Sequence, residues 1–233
     1  MFLPSANEFH RLAQQGNLIP VYREILADME TPVSAFRKID DGQSAFLLES
    51  IEGGEKWARY SFLGSGPARV FRCRDHYYEV LYAGELEDSG EVDDPLHKLR
   101  ELMAVYQPVE VEGLPRFFGG AVGYLGYDMI RFIEDLPDTN PRQIDGWDAG
   151  FMFTERLLIF DNMRQKVKLV YNVHLLEDED PAVAYQRAQK QIAQMLEQLR
   201  QPLQREDEEP GGDGRQELEA NFTQDDFKQA VER

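Results

Sequence analysis

Phe151-Met152-Phe153-Thr154-Glu155-Arg156-Leu157-Leu158-Ile159-Phe160 runs into Asp161-Asn162-Met163-Arg164 and out again through Val167-Lys168-Leu169-Val170-Tyr171-Asn172-Val173. Two apolar, β-branched and aromatic runs flank four polar turn residues, which predicts an antiparallel hairpin. Upstream, similar runs recur at strand-like spacing over 18–26, 33–39, 45–50, 57–63, 69–73 and 77–82, and again over 116–127. Strand after strand with short turns between them predicts a largely antiparallel sheet system. Helices punctuate it. Ser5 with Glu8 three residues on forms a capping box before Phe9, Leu12 and Ala13, and Gly16 ends that segment. Asp94-Pro95 opens a helix carrying Leu96, Leu99, Leu102, Met103 and Tyr106 on one face. Asp180-Pro181 opens a longer one with Tyr185, Ala188, Ile192, Leu196 and Leu199, stopped by Pro202. The expected fold class is α+β: twisted, mostly antiparallel β-sheets, sandwich-like, with flanking helices.

Composition narrows the function. The 233 residues carry a formal net charge of -18 at pH 7. That charge disfavours nucleic acid phosphates and anionic membranes as partners, and its simplest role is solubility. A single cysteine, Cys73, excludes an internal disulfide and fits a reducing, cytoplasmic compartment. Its alternating neighbours make it a small packed residue rather than a nucleophile. The N-terminus has no basic region followed by an apolar run, and no apolar stretch is long enough to span a bilayer.

Beyond the last long helix the composition changes. An acidic stretch rich in Gly and Pro over 205–220 reads as a linker. Thr223 then caps a new amphipathic helix, with Phe222 and Phe227 placed as a hydrophobic staple. The expected organisation is one domain over 1–204, the linker, and the start of a second, truncated domain over 221–233.

Catalytic signatures are sparse. His10, His76, His97 and His174 are scattered, with no metal-ligand spacing between any pair. Gly119-Gly120-Ala121-Val122-Gly123-Tyr124-Leu125-Gly126-Tyr127 lacks the Lys-Ser/Thr of a phosphate loop and reads as a buried strand passed closely by another backbone. Glu49 follows Phe46-Leu47-Leu48 at a strand end beside Ser50. A carboxylate there can hold a ligand ammonium while a hydroxyl or backbone N–H holds its carboxylate, or it can simply be solvated.

These residues carry a family resemblance. Phe46-Leu47-Leu48-Glu49-Ser50, Glu52-Gly53-Gly54-Glu55-Lys56-Trp57-Ala58-Arg59-Tyr60-Ser61-Phe62-Leu63-Gly64 and Thr31-Pro32-Val33-Ser34-Ala35-Phe36-Arg37-Lys38 resemble the N-terminal region of the anthranilate synthase component I family. Phe118 to Asp128, Leu136 to Pro141, Phe160-Asp161-Asn162 and Asn221-Phe222-Thr223 follow in family order. The resemblance implies conversion of chorismate and ammonia to anthranilate and pyruvate. The ammonia comes from glutamine through a glutamine amidotransferase subunit, and L-tryptophan inhibits by feedback. It implies tryptophan binding at Ser50, Glu49 and Leu48, with Lys56 as the nearest basic residue beyond the motif. Catalytic residues and Mg2+ ligands belong to the family's C-terminal domain, so no catalytic residue and no cofactor is expected in this chain, and the chain alone is expected to be inactive. Two alternatives stand beside this: the large subunit of aminodeoxychorismate synthase, and a stand-alone amino-acid-binding module.

Overall fold

The computed structural model describes residues 1–49, 59–137, 145–203 and 223–232. In chain order the elements are α1 (Ala6–Leu12), β1 (Leu18–Leu26), α2 (Pro32–Ile39), β2 (Ala45–Leu48), β3 (Tyr60–Ser65), β4 (Arg69–Arg74), β5 (Tyr77–Tyr82) and β6 (Glu85–Glu91). Then come α3 (Pro95–Ala104), β7 (Ala121–Leu125), a 3-10 helix (Tyr127–Phe132), β8 (Ala149–Phe153), β9 (Arg156–Asp161), β10 (Lys166–His174), α4 (Pro181–Arg200) and α5 (Gln224–Val231). The strands form two five-stranded antiparallel sheets, ordered β1-β10-β9-β3-β2 and β6-β5-β4-β8-β7. The α+β class expected from the sequence is the one observed.

Side-chain alternation along the strands builds three apolar layers. Tyr22, Phe46, Leu157, Ile159 and Val170 from the first sheet meet Val70, Met152 and Val122 from the second, making the layer between the sheets. The opposite face of the first sheet (Val21, Leu63, Leu158, Phe160, Leu169, Val173) is covered by Phe9 and Leu12 of α1 and by Ala184, Ala188, Ile192 and Leu199 of α4. The outer face of the second sheet (Phe71, Cys73, Tyr78, Val80, Phe153) packs under Leu99 of α3 and Met129 of the 3-10 helix.

The helix starts follow capping chemistry. Asp94 accepts from the Leu96 N–H, and Asp180 accepts from the Ala182 N–H, each with Pro at the start of the helix. Ser5 accepts from the Glu8 N–H, while the Glu8 side chain turns to Arg11 rather than closing a box. On α4 the buried row contains Met195, with Leu196 packed beside it.

Several expectations are corrected. Residues 33–39 are helix, not strand: Thr31 and Ser34 satisfy each other's backbone N–H groups in a capping box, and Pro32 sits at the first turn. The apparent strand over 116–127 shortens to β7, and Tyr127 enters the 3-10 helix. The run 151–160 is two strands. The chain leaves the second sheet after Phe153 and joins the first at Arg156. β6 has no counterpart among the strands expected from the sequence. The hairpin β9–β10 and the strands at 18–26 and 77–82 stand as read.

The chain divides into two compact units, Met1–Gln201 and Pro202–Arg233. In the second, Thr223 accepts from the Asp226 N–H and caps α5. Phe222 and the acidic stretch lie outside the described residues.

Candidate functional site

The strand end singled out by sequence lies on β2, an edge strand. Alternation sends Phe46 into the layer between the sheets and Leu47 toward the helix-covered layer. Leu48 ends the strand and is 46% exposed. Glu49 follows it and is exposed. Ser50 and Lys56 lie outside the described residues.

Register places what surrounds Leu48. Leu48 pairs with Phe62, Phe62 with Ile159, Ile159 with Lys168, and Lys168 with Glu24. Directly opposed residues share a face, so the row crosses the whole first sheet. Its near end is aromatic and half-buried. The Phe62 and Phe117 rings meet edge-on at 5.0 Å, and Tyr60 lies 6.1 Å from Phe62. Its far end is charged. Glu24 accepts from both Lys166 and Lys168, and these bonds hold its carboxyl below the usual range. Lys168 is nearly sealed and stands 5.2 Å over the Tyr22 ring.

Two residues further along the strands, on the same face, Asp161 pairs with Tyr60. Arg59 grips Asp161 with Nε at 3.1 Å and Nη2 at 2.7 Å, and its guanidinium covers the Tyr60 ring at 4.8 Å. Burial pushes the Asp161 carboxyl up, but the Arg59 bonds and the Arg164 N–H outweigh it and hold the group below its ordinary value. A carboxyl lowered on folding stabilises above its unfolded pKa of ~3.9 and loses that contribution as pH falls through the lower folded value. Asp161→Asn is therefore expected to lower the urea midpoint at neutral pH, and its gap from the parent chain should close below pH ~4. Urea titrations at several pH values measure this; a gap that persists in acid would assign the stabilisation to something other than the ion pair.

The patch is thus an apolar surface (Leu48, Phe62, Tyr60, Phe117) edged by cations already held by carboxylates. That arrangement suits binding a flat apolar group rather than moving protons. Lys168, Arg59 and the aromatic trio were missed from sequence. The signal for Lys168 was a lone cation alternating within the apolar strand Val167–Val173.

The other residues weighed from sequence sit elsewhere. Cys73 is buried, and burial together with Asp148 pushes its thiol up to about 11, which fits a packed residue. His76 Nδ1 lies 2.9 Å from the Val92 carbonyl, and the His97 ring lies beside Glu101. The glycine-rich run is an edge strand, with Tyr124 and Leu125 each 54% exposed, so it is not buried as expected. Close approach of a second backbone is present: a Cβ on Gly123 would lie 1.9 Å from the Gly150 carbonyl oxygen. Among the described residues, His, Cys, Asp and Glu side chains do not gather in threes as a metal-ligand set. Among them, too, no helix is long and apolar enough to cross a membrane.

The chain belongs to the chorismate-binding enzyme family, whose model matches residues 43–233. Several curated relatives share one name. Anthranilate synthase component 1 of Pseudomonas aeruginosa is 39% identical over 232 residues, covering 97% of this chain and 46% of the relative. The protein of the same name from Aquifex aeolicus is 36% identical over 237 residues, covering 98% of this chain and 46% of the relative. That of Synechocystis is 40% identical over 207 residues, covering 87% and 40%. The crystal structure of anthranilate synthase component I from Streptococcus pneumoniae TIGR4 is 27% identical, with a TM-score of 0.46 over 76% of this chain and 37% of that one. The chain spans a little under half the length of the curated relatives it matches.

Proposed function

We propose that the chain is the N-terminal, effector-binding part of an anthranilate synthase large subunit. The observation that carries this is the alignment of nearly the whole chain with curated proteins of that name. The complete enzyme turns chorismate and ammonia into anthranilate, pyruvate and water, with the ammonia released from glutamine by an amidotransferase partner. Mg2+ assists in the complete enzyme, and its ligands belong to the part of the protein that this chain does not contain.

L-Tryptophan is the effector, and the β2 strand end is its seat. Leu48, Phe62, Tyr60 and Phe117 present apolar surface to an indole, whose burial contributes about 2–3 kcal/mol. Glu49, exposed at the strand end, takes the ammonium, and Ser50 and Lys56 are the proposed partners of the carboxylate. Leu48 and Glu49 are open to solvent in this chain, so the remainder of the longer protein completes the wall. An effector seated between two parts favours one arrangement of them, which couples it to a distant chorismate site.

Ser50→Phe in the full-length protein tests the site, because bulk enters the effector seat and not the reaction centre. Anthranilate synthesis should be retained while inhibition by tryptophan is lost. Inhibition unchanged from the parent removes Ser50 from the site. The present chain, given chorismate, Mg2+ and ammonium, should yield no anthranilate fluorescence; detectable product overturns the assignment of catalysis to the other part of the protein.

A further inference from the structure

A cavity of about 330 Å3, whose lining does not include Leu48, opens where the chain crosses between the sheets at Thr154 and Glu155. Its walls are mainly apolar: Met103, Tyr106, Phe118 and Phe153 line it. The Tyr106 ring lies 5.8 Å from Phe153 and 4.7 Å from His174, so aromatic faces enclose a slot suited to a flat group.

Two acceptors in this wall lack a side-chain donor among the described residues, one sealed and one half-buried. Asn172 is 2% exposed, and its Nδ2 donates to the Phe118 carbonyl at 2.8 Å and the Thr154 carbonyl at 3.0 Å. Both partners are carbonyls, which fixes the orientation of the amide. Its Oδ1 then has no hydrogen-bond partner among the described residues. Burial raises the Glu155 carboxyl above its ordinary value, against the opposing pull of Arg156, Arg187 and Arg69. Each of those arginines bonds elsewhere: Arg156 to the Gly66 carbonyl, Arg187 to Glu179, Arg69 to Glu87. Among the described residues, Glu155 itself has neither an ion pair nor a side-chain hydrogen bond. A buried acceptor left without a donor costs roughly 1–3 kcal/mol, so the sealed Asn172 Oδ1, with the half-buried Glu155 carboxyl in the same wall, favours an occupant that donates.

We propose that this cavity binds a small primary amine with an aromatic body, its ammonium donating to the Glu155 carboxylate and the Asn172 Oδ1 and its ring lying against Tyr106, Phe118 and Phe153. Arg116, exposed in the same wall, decides the source. A free amine leaves it unused, and an α-amino acid gives it a carboxylate.

The test uses the 233-residue chain, 15N-labelled, with 2-phenylethylamine, phenylalanine and 3-phenylpropionate as probes. 2-Phenylethylamine should shift the Asn172 side-chain amide resonances and bind with Kd near ~1 mM or tighter. 3-Phenylpropionate, which lacks the amine, should not. Tighter binding of phenylalanine than of 2-phenylethylamine marks an amino acid as the occupant, and the reverse order marks a free amine. Glu155→Gln, with an unchanged melting temperature, should weaken 2-phenylethylamine about ten-fold. The proposal falls if 2-phenylethylamine leaves the Asn172 amide unmoved, if 3-phenylpropionate binds as well, or if Glu155→Gln binds like the parent chain.

Discussion

Gly123→Val is expected to cost at least ~3 kcal/mol and to release β7 from the second sheet. Gly123 lies opposite Phe151 in the β7–β8 ladder. A Cβ there would stand 1.9 Å from the Gly150 carbonyl oxygen and 2.7 Å from the Phe151 Cα. Both obstacles are backbone of a paired strand, so neither yields by a rotamer change. Gly150 is itself tight, because a Cβ on it would meet the Tyr124 ring at 3.1 Å. The two glycines let β7 and β8 lie against each other with Tyr124 folded over the pair. A loss of this size corresponds to a fall in melting temperature of about 6–12 °C for a domain of this length. Circular dichroism measures the fall, and amide exchange across Ala121–Leu125 shows whether the strand has detached. A variant that melts with the parent would mean that the two backbones are further apart than described.

Phe71→Ala is expected to cost about 3–5 kcal/mol. Phe71 is fully buried on β4, flanked in the ladders by Val80 and Phe151, and its ring lies 6.4 Å from that of Tyr78. The layer it anchors is small. Beside it stand Cys73, Val80, Leu99, Met129 and Phe153, few enough that the void cannot be closed by their settling. Protection of the α3 amides should fall with global stability, since Leu99 loses its floor. Phe71→Leu, which keeps most of the volume, should cost under ~1.5 kcal/mol. Equal losses for the two variants, or a loss below ~1 kcal/mol for alanine, would show that the layer does not depend on the ring.

What the sequence made legible depended on burial. Strands with one wet and one dry face, such as Tyr77–Tyr82, announced themselves by alternation, whereas the hairpin at Asp161, buried on both faces, showed as two continuous apolar runs around a polar turn. β6 could not, because Glu85–Glu91 has almost no dry face: six of its seven residues are exposed, and it is held by backbone pairing with β5. Thr31-Pro32 carried both a break and a cap in the same residues, and only the Ser34 partner decides between them. The crossing at Thr154 was hidden because both neighbouring segments are apolar and periodicity is blind to a change of sheet. At the candidate site, Leu48 and Glu49 were legible through a motif. Tyr60, Phe62, Phe117 and Lys168 come together through register between segments distant in sequence, which no local pattern encodes.

The second sheet is an excursion. β3 and β9 are neighbours in the first sheet, and the chain between them, from Gly66 to Glu155, supplies every strand of the other one. Its two ends touch, since the Arg156 Nη2 donates to the Gly66 carbonyl at 2.8 Å. By connectivity this segment could be lifted out and the gap closed with a short turn, as in domain grafting or circular permutation. Energetically it could not: removal would strip Leu157, Ile159 and Val170 of the Val70, Met152 and Val122 that cover them. A module inserted whole, yet unable to part from its host, is what that shared apolar layer makes of it.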